Sequence, residues 1–183
     1  MRSKQEFIRE WNNWVATESE GKLPTQERTS RFSGTPALFA FRDMDYFALI
    51  SPIGWTPAAY EIAEIIVPRG FVTDFASVPR LFWSMLPPIG RYGYAAIFHD
   101  FTYWQQTASR DEADKLFHDT MLELTVGTVT RNVLYYSVRC FGFLAWRNNA
   151  AAKASGEKRI LCEFPTDLTT SWVEWKKRPD VFV

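Results

Sequence analysis

The chain is 183 residues and 21.2 kDa, about one domain long, and its 46% hydrophobic content supports a real core, which excludes disorder as the dominant state. Lys plus Arg and Asp plus Glu stand at 21 each, so the formal net charge is zero and the whole-chain attraction behind general nucleic-acid binding is absent. Only Cys140 and Cys162 are present, too few for a multi-bridge secreted framework or a four-cysteine zinc site.

In chain order, residues 4–17 place Phe7, Ile8, Trp11, Trp14 and Val15 on one stripe, which predicts a short amphipathic helix. The opening Met1-Arg2-Ser3-Lys4 lacks a signal-peptide apolar run, and no window approaches 18 uncharged apolar residues, so neither export nor a membrane span is expected. Glu18 to Thr35 is polar, with Gly21, Pro24 and Gly34, and reads as a linker or long loop. From Ala37 to Val72 short apolar runs (ALFAF, YFALI, EIAEIIV) alternate with turn residues around Ser51-Pro52, Gly54 and Pro57, the pattern of a small antiparallel strand module.

After Asp74 the pattern turns helical. Pro79 suits the first turn of a short helix that Pro87-Pro88 ends. Tyr94 to Trp104 reads as a helix, and Ser109-Arg110-Asp111-Glu112 is a capping box that opens another through about Leu124. A third helix is expected from about Val129 to Arg147, with Val133, Tyr136, Cys140, Phe143 and Leu144 on one face to be packed, and Arg131, Arg139 and Arg147 on another. The tail after Gly156 holds strand-like runs (ILCEF, SWVEW) and a basic Lys176-Lys177-Arg178.

These elements predict an α+β fold in one domain over 1–183: an N-terminal helix and linker in 1–34, the strand module in 35–75, a helical core in 76–148 and a strand-like tail in 149–183. Fifteen Phe, eight Trp and seven Tyr on a chain of zero net charge favour self-association or protein partners.

The sharpest chemical signal is the position of the two histidines. His99 is followed by Asp100, and His118 stands four residues after Asp114. On a helix His99 and Tyr103 share a face, while Asp100 points about 100° away. If the helices from Tyr94 and Ser109 form an antiparallel hairpin through Gln105 to Ala108, Asp114 faces His99 across the seam, and a His oriented by a carboxylate is the arrangement of a general base. Asp100 is then available to a cation, with loop carbonyls.

Asp74 fits three readings, a second metal ligand, a substrate-facing polar group or, favoured here, an Asx-type cap of the Pro79 helix. Ser77 lacks a Gly-x-Ser-x-Gly elbow, and no phosphate loop, Rossmann glycine pattern or zinc spacing occurs. A His…His-Asp…Asp phosphohydrolase would need a His before His99, and there is none, so that reading requires His118 to substitute from the far side.

Residues 68–121, through Gly70-Phe71-Val72-Thr73-Asp74-Phe75-Ala76-Ser77-Val78-Pro79-Arg80, Gly90-Arg91-Tyr92, His99-Asp100-Phe101-Thr102-Tyr103 and Arg110 to Phe117, resemble the core of the domain-of-unknown-function family numbered 1353, found in phages and prophages. A second resemblance is chemical: Ala95 to Tyr103 is similar to the active-site helix of secreted phospholipase A2. That resemblance implies a water-activating His99, a calcium-binding Asp100, and a Tyr103 that supports Asp114 on the partner helix. Ala95 and Ala96 stand where many members of that family carry a cysteine pair.

The combined expectation is a phage or prophage accessory or virion-associated protein acting through protein partners, cytoplasmic or assembled in a particle. The alternative is a cation-dependent ester hydrolase with catalytic His99, Asp114 and Tyr103, Asp100 as metal ligand, calcium as cofactor and a lipid or other ester as substrate.

Overall fold

The computed structural model describes residues 32–57, 64–75 and 91–183. The amphipathic segment at 4–17, the Pro79 helix and Ser77 fall outside them. The described chain is α+β: six short strands form two three-stranded antiparallel sheets, and helices follow.

The first sheet has the order β1-β4-β5, from β1 (Phe32–Ser33), β4 (Ile53–Trp55) and β5 (Ile65–Val67), with Phe32 opposite Trp55 and Ile53 opposite Val67. The second has the order β2-β3-β6, from β2 (Leu38–Ala40), β3 (Phe47–Leu49) and β6 (Val72–Thr73), with Phe39 opposite Ala48 and Ala48 also opposite Val72. Two of these strands lie where the sequence reads as connection. β1 falls inside the polar stretch that ends at Thr35, and β4 occupies Ile53-Gly54-Trp55 between turn residues. Strands of two or three residues give periodicity too few positions to register.

Three helices carry the rest: α1 (Arg91–Gln105), α2 (Arg110–Glu123) and α3 (Thr128–Ala154). α2 starts on the expected capping box, with the Ser109 hydroxyl accepting from the Glu112 amide and the Glu112 carboxylate accepting from the Ser109 amide at 2.8 Å. α3 runs past the expected end at Arg147, because Ala150-Ala151-Ala152 are strong helix formers, and it stops before Gly156, whose φ of 87° is left-handed.

Its buried face also differs from expectation. Leu134, Val138 and Gly142 turn inward, whereas Val133, Tyr136, Cys140, Phe143 and Leu144 are exposed. The helix carries two apolar faces, and periodicity alone does not say which one meets α1 and α2.

Trp55, Phe98, Phe117, Met121 and Leu134 belong to the main apolar cluster between the strands and the helices. Trp55 is fully buried, and its indole N–H donates to Glu123 at 2.9 Å, so the largest side chain there leaves no polar atom unpaired. Burying a side chain of this size stabilises by about 1.5–3 kcal/mol. A second cluster of Phe41, Ala48, Val72, Leu161, Trp172 and Val181 joins the second sheet to the tail.

The tail is not strand-like throughout. SWVEW forms a short helix α4 (Trp172–Trp175) on a second capping box, Ser171 with Glu174, which the strand reading overlooked. ILCEF makes only isolated bridges, Phe71 with Ile160 and Leu161 with Phe182. Gly70, at φ 86°, admits this docking: a Cβ there would lie 1.9 Å from the Leu161 carbonyl oxygen.

Candidate active site

Three helices meet at one carboxylate. α1 and α2 form the expected antiparallel hairpin, since Tyr103 and His99 both reach Asp114 while His99 also packs on Phe117, at 4.6 Å between ring centres. The Asp114 side chain is completely buried and accepts four hydrogen bonds, two on each oxygen. His99 Nε2 at 3.1 Å and the Tyr103 hydroxyl at 2.5 Å meet Oδ1. Arg110 Nη1 at 3.0 Å and Arg139 Nη1 at 3.1 Å meet Oδ2.

Local periodicity explains who arrives. His99 and Tyr103 are i and i+4 on α1, and Arg110 and Asp114 are i and i+4 on α2, so each pair lies on one helix face. Arg139 comes from α3 and also pairs with Asp111.

Electrostatics follow from this clamp. Burial alone would raise the Asp114 pKa, but the hydrogen bonds from His99, Tyr103 and Arg139 outweigh it and hold the carboxyl below its ordinary value. Burial lowers the His99 pKa below 6.5, against the opposing pull of Asp114. Burial, helped by the bond to Asp114, raises that of Tyr103, so its hydroxyl stays protonated and donates. At neutral pH the set is therefore a carboxylate, a neutral imidazole and a phenol. With Nε2–H committed to Asp114, Nδ1 is the basic nitrogen of the ring.

His99, Asp100 and Tyr103 line a cavity of about 560 Å³, together with Asp74, Asn148, Asn149 and Arg159 and an apolar wall on α3 that includes Val138, Phe141, Leu144 and Ala145. Gly142 on the same helix allows the tight fit behind the dyad, because a Cβ there would lie 2.4 Å from the Tyr103 hydroxyl. Asn149 and Lys153 donate to the Tyr103 and Gln105 carbonyls at 3.3 and 3.0 Å, so α3 satisfies the open end of α1. None of Arg110, Arg139 or Gly142 stood out in the sequence as a site residue. The i, i+4 spacing of Arg110 to Asp114 was the available signal.

Asp100 is turned away from His99 as expected, but its carboxylate accepts a hydrogen bond from Thr73 on β6. Thr73 in turn accepts from the Phe75 amide at 3.1 Å, in a turn that holds Phe75 at a φ of 51°. Asp74 is half-buried on the cavity wall. Among the described residues no group of three His, Cys, Asp or Glu is placed to hold a metal. Two carboxylates on one cavity fall short of the six to eight oxygens calcium takes, so the described side chains do not by themselves build a calcium site.

His118 lies apart from the cluster. Its Nδ1 meets Asp119, not Asp114, at 3.2 Å, and its ring packs on Tyr135. Among the described residues no helix is long and apolar enough to cross a membrane.

No curated protein and no solved structure matches the chain. Residues 53–138, from β4 into α3, match the family described as "Protein of unknown function (DUF1353)". That stretch contains His99, Asp100, Tyr103, Arg110 and Asp114, and over these residues the chain is similar to the DUF1353 family.

Proposed function

We propose that the protein is a hydrolase of carboxylic esters in which His99 is the general base and Asp114 orients it. The observation that carries this reading is the 3.1 Å contact between Nε2 of His99, which lines a cavity, and a buried, four-times hydrogen-bonded carboxylate. A histidine that merely filled the core would not need a carboxylate held by two arginines and a tyrosine, since burying a charge is expensive.

In the proposed step a water gives its proton to His99 Nδ1 as its oxygen bonds to the ester carbonyl carbon. The bond from that carbon to the alkoxy oxygen then breaks, and the same proton passes from His99 to the departing alcohol. Asp114 remains ionised throughout and stabilises the transient imidazolium. Asn148 and Arg159 line the same cavity and carry N–H groups suited to the developing oxyanion. The apolar wall on α3 suits an acyl chain, which supports a lipid-like ester among the substrates. Calcium is proposed only as an aid to this hydrolysis, through Asp100, and no step depends on it.

A second reading, a phage or prophage accessory protein working through protein partners, is supported by the resemblance of residues 68–121 and by the exposed apolar side chains of α3. The test is hydrolysis of p-nitrophenyl esters of increasing chain length and of phospholipid vesicles, with calcium and with chelator. His99→Gln, which keeps a donor for Asp114 and removes Nδ1, should lower kcat/KM by at least 10²-fold while the fold persists. The rate of the parent should fall only below pH 6.5, because burial holds the base below that value. A parent that hydrolyses none of these esters in either buffer removes the enzyme reading and leaves the partner-binding one.

A further inference from the structure

The tail contributes one charged side chain to the cavity that holds His99. Arg159 lies just after α3 and is pinned by backbone hydrogen bonds: the Val72 amide donates to the Arg159 carbonyl at 2.8 Å, and the Leu161 amide to the Gly70 carbonyl at 2.9 Å. Its side chain is only 14% exposed. The guanidinium lies over the Trp104 ring of α1, 4.9 Å from the centroid, and its Nε donates to Glu157 at 3.3 Å. Among the described residues no acceptor meets either Nη, and neither atom is sealed from solvent. With the rest of the side chain enclosed, this N–H fork opens on the cavity that Arg159 lines.

Enclosing a guanidinium costs desolvation, and Glu157 offsets it only in part, because Lys176 also pairs with Glu157 at 3.9 Å. What completes a planar cation with two parallel N–H groups free is an in-plane pair of oxygens. A carboxylate fits better than a phosphate, since Asp74 and Asp100 line the same cavity and repel a dianion more strongly than a monoanion. Recognition therefore rests on directed hydrogen bonds rather than on net charge.

We infer that Arg159 is the specificity-determining residue of this cavity and binds a carboxylate carried by the substrate, an inference that rests, for the word substrate, on the ester-hydrolase reading. Val138, Phe141 and Leu144 on the wall take the apolar chain, so the favoured ester is an amphiphile with one free carboxylate. The Arg159 fork then holds a permanent charge, and Asn148 is left to the oxyanion. Arg159 lies beyond residues 53–138, the family-like stretch that holds His99 and Asp114, so the chemistry and the choice of substrate come from different parts of the chain.

The first arm of the test needs no turnover. In isothermal titration of the full chain, octanoate should bind at least tenfold more tightly than 1-octanol and more tightly than octyl phosphate. Arg159→Lys keeps the stem and the charge over Trp104 but not the fork, and should lose at least tenfold in octanoate affinity. Ala145→Trp, which leaves the guanidinium intact and fills the cavity, should do the same. Circular dichroism checks that each variant is folded.

The second arm compares p-nitrophenyl half-esters of adipate, suberate and sebacate with the neutral p-nitrophenyl esters of hexanoate, octanoate and decanoate. At the best chain length the half-ester should have at least tenfold the kcat/KM of its neutral counterpart, and Arg159→Lys should abolish that preference. Octanoate binding that depends on Arg159 and Ala145, in a parent that hydrolyses no ester, upholds the carboxylate site and removes the hydrolase reading. Hydrolysis without preference for any half-ester overturns the inference and leaves the hydrolase reading standing. It is equally overturned if octanoate binds no better than 1-octanol, if octyl phosphate binds more tightly, if either folded variant binds octanoate like the parent, or if Arg159→Lys slows neutral and anionic esters alike.

Discussion

At the scale of single residues, the telling feature is that Asp114 is charged although completely buried. Its charge persists because four donors converge on it, and each hydrogen bond to a charged group is worth about 1.5–3 kcal/mol. Tyr103→Phe removes one donor without changing ring volume. It should lower stability by about 1.5–3 kcal/mol in a urea titration and slow ester hydrolysis on the order of tenfold, by loosening the carboxylate that orients His99. Gly142→Ala should have the same two effects from the other side, since its new methyl would push the Tyr103 hydroxyl away from Asp114. If Gly142→Ala proved as stable and as active as the parent, the close fit behind the dyad would be unimportant.

His99 and Asp114 were legible as a pair in the sequence because helix periodicity and a short connection suffice to bring them together, whereas the bond from Tyr103 to Asp114 was implied only by the resemblance to the phospholipase A2 helix. Arg139 was not, because no local pattern connects position 139 on one helix to 114 on another.

At the scale of elements, both well-defined short-range signals are capping boxes, and they differ in what they hold. Ser109 with Glu112 starts α2 five residues before Asp114, so the first turn of α2 carries the carboxylate into the seam. Ser109→Ala should cost about 1 kcal/mol and lower the midpoint by roughly 2–4 °C. It should also reduce hydrolysis, because a frayed first turn lets Asp114 drift. Ser171→Ala, which uncaps α4, should cost a similar amount of stability and leave the rate unchanged. Equal effects of the two variants on rate would show that the α2 cap does not position the site.

The second capping box was present in the sequence as Ser171-Trp172-Val173-Glu174 and was obscured by the alternation of Trp and Val, a strand-like pattern over only five residues. Short apolar runs satisfy both periods, and the cap was the feature that distinguished them.

At the scale of the whole molecule, the buried dyad couples proton binding to folding. His99 has its pKa lowered in the folded state, so below 6.5 the unfolded chain takes up a proton that the folded chain refuses, and stability falls as pH drops from that point. Asp114 adds a later loss. Its folded pKa lies below 3.8, so the stability it contributes is present above 3.8 and disappears as pH falls through the folded value. Urea midpoints should therefore be flat above pH 6.5 and then decline by up to about 1.4 kcal/mol per pH unit for one proton. In His99→Gln the first decline should vanish while the acid loss remains. A parent whose stability is level from pH 7 to pH 5 would show that His99 titrates as it does in the unfolded chain.

What the sequence determined by itself was whatever depends on neighbours a few residues apart. That covers the α+β order of elements, the capped start of α2, and the facing of His99 and Asp114 across a four-residue connection. These follow from backbone geometry, which repeats every 3.6 residues whatever lies beyond. Only the tertiary structure decided the remainder. It chose Leu134 and Val138 over Val133 and Tyr136 as the inward face of α3, sent Arg139 to Asp114, gave Asp100 to Thr73, and seated the tail on Gly70. Each of these joins positions far apart in the chain, or selects between two faces equally apolar in composition. The deciding quantity was the shape and charge of the surface each met, which no window of sequence contains.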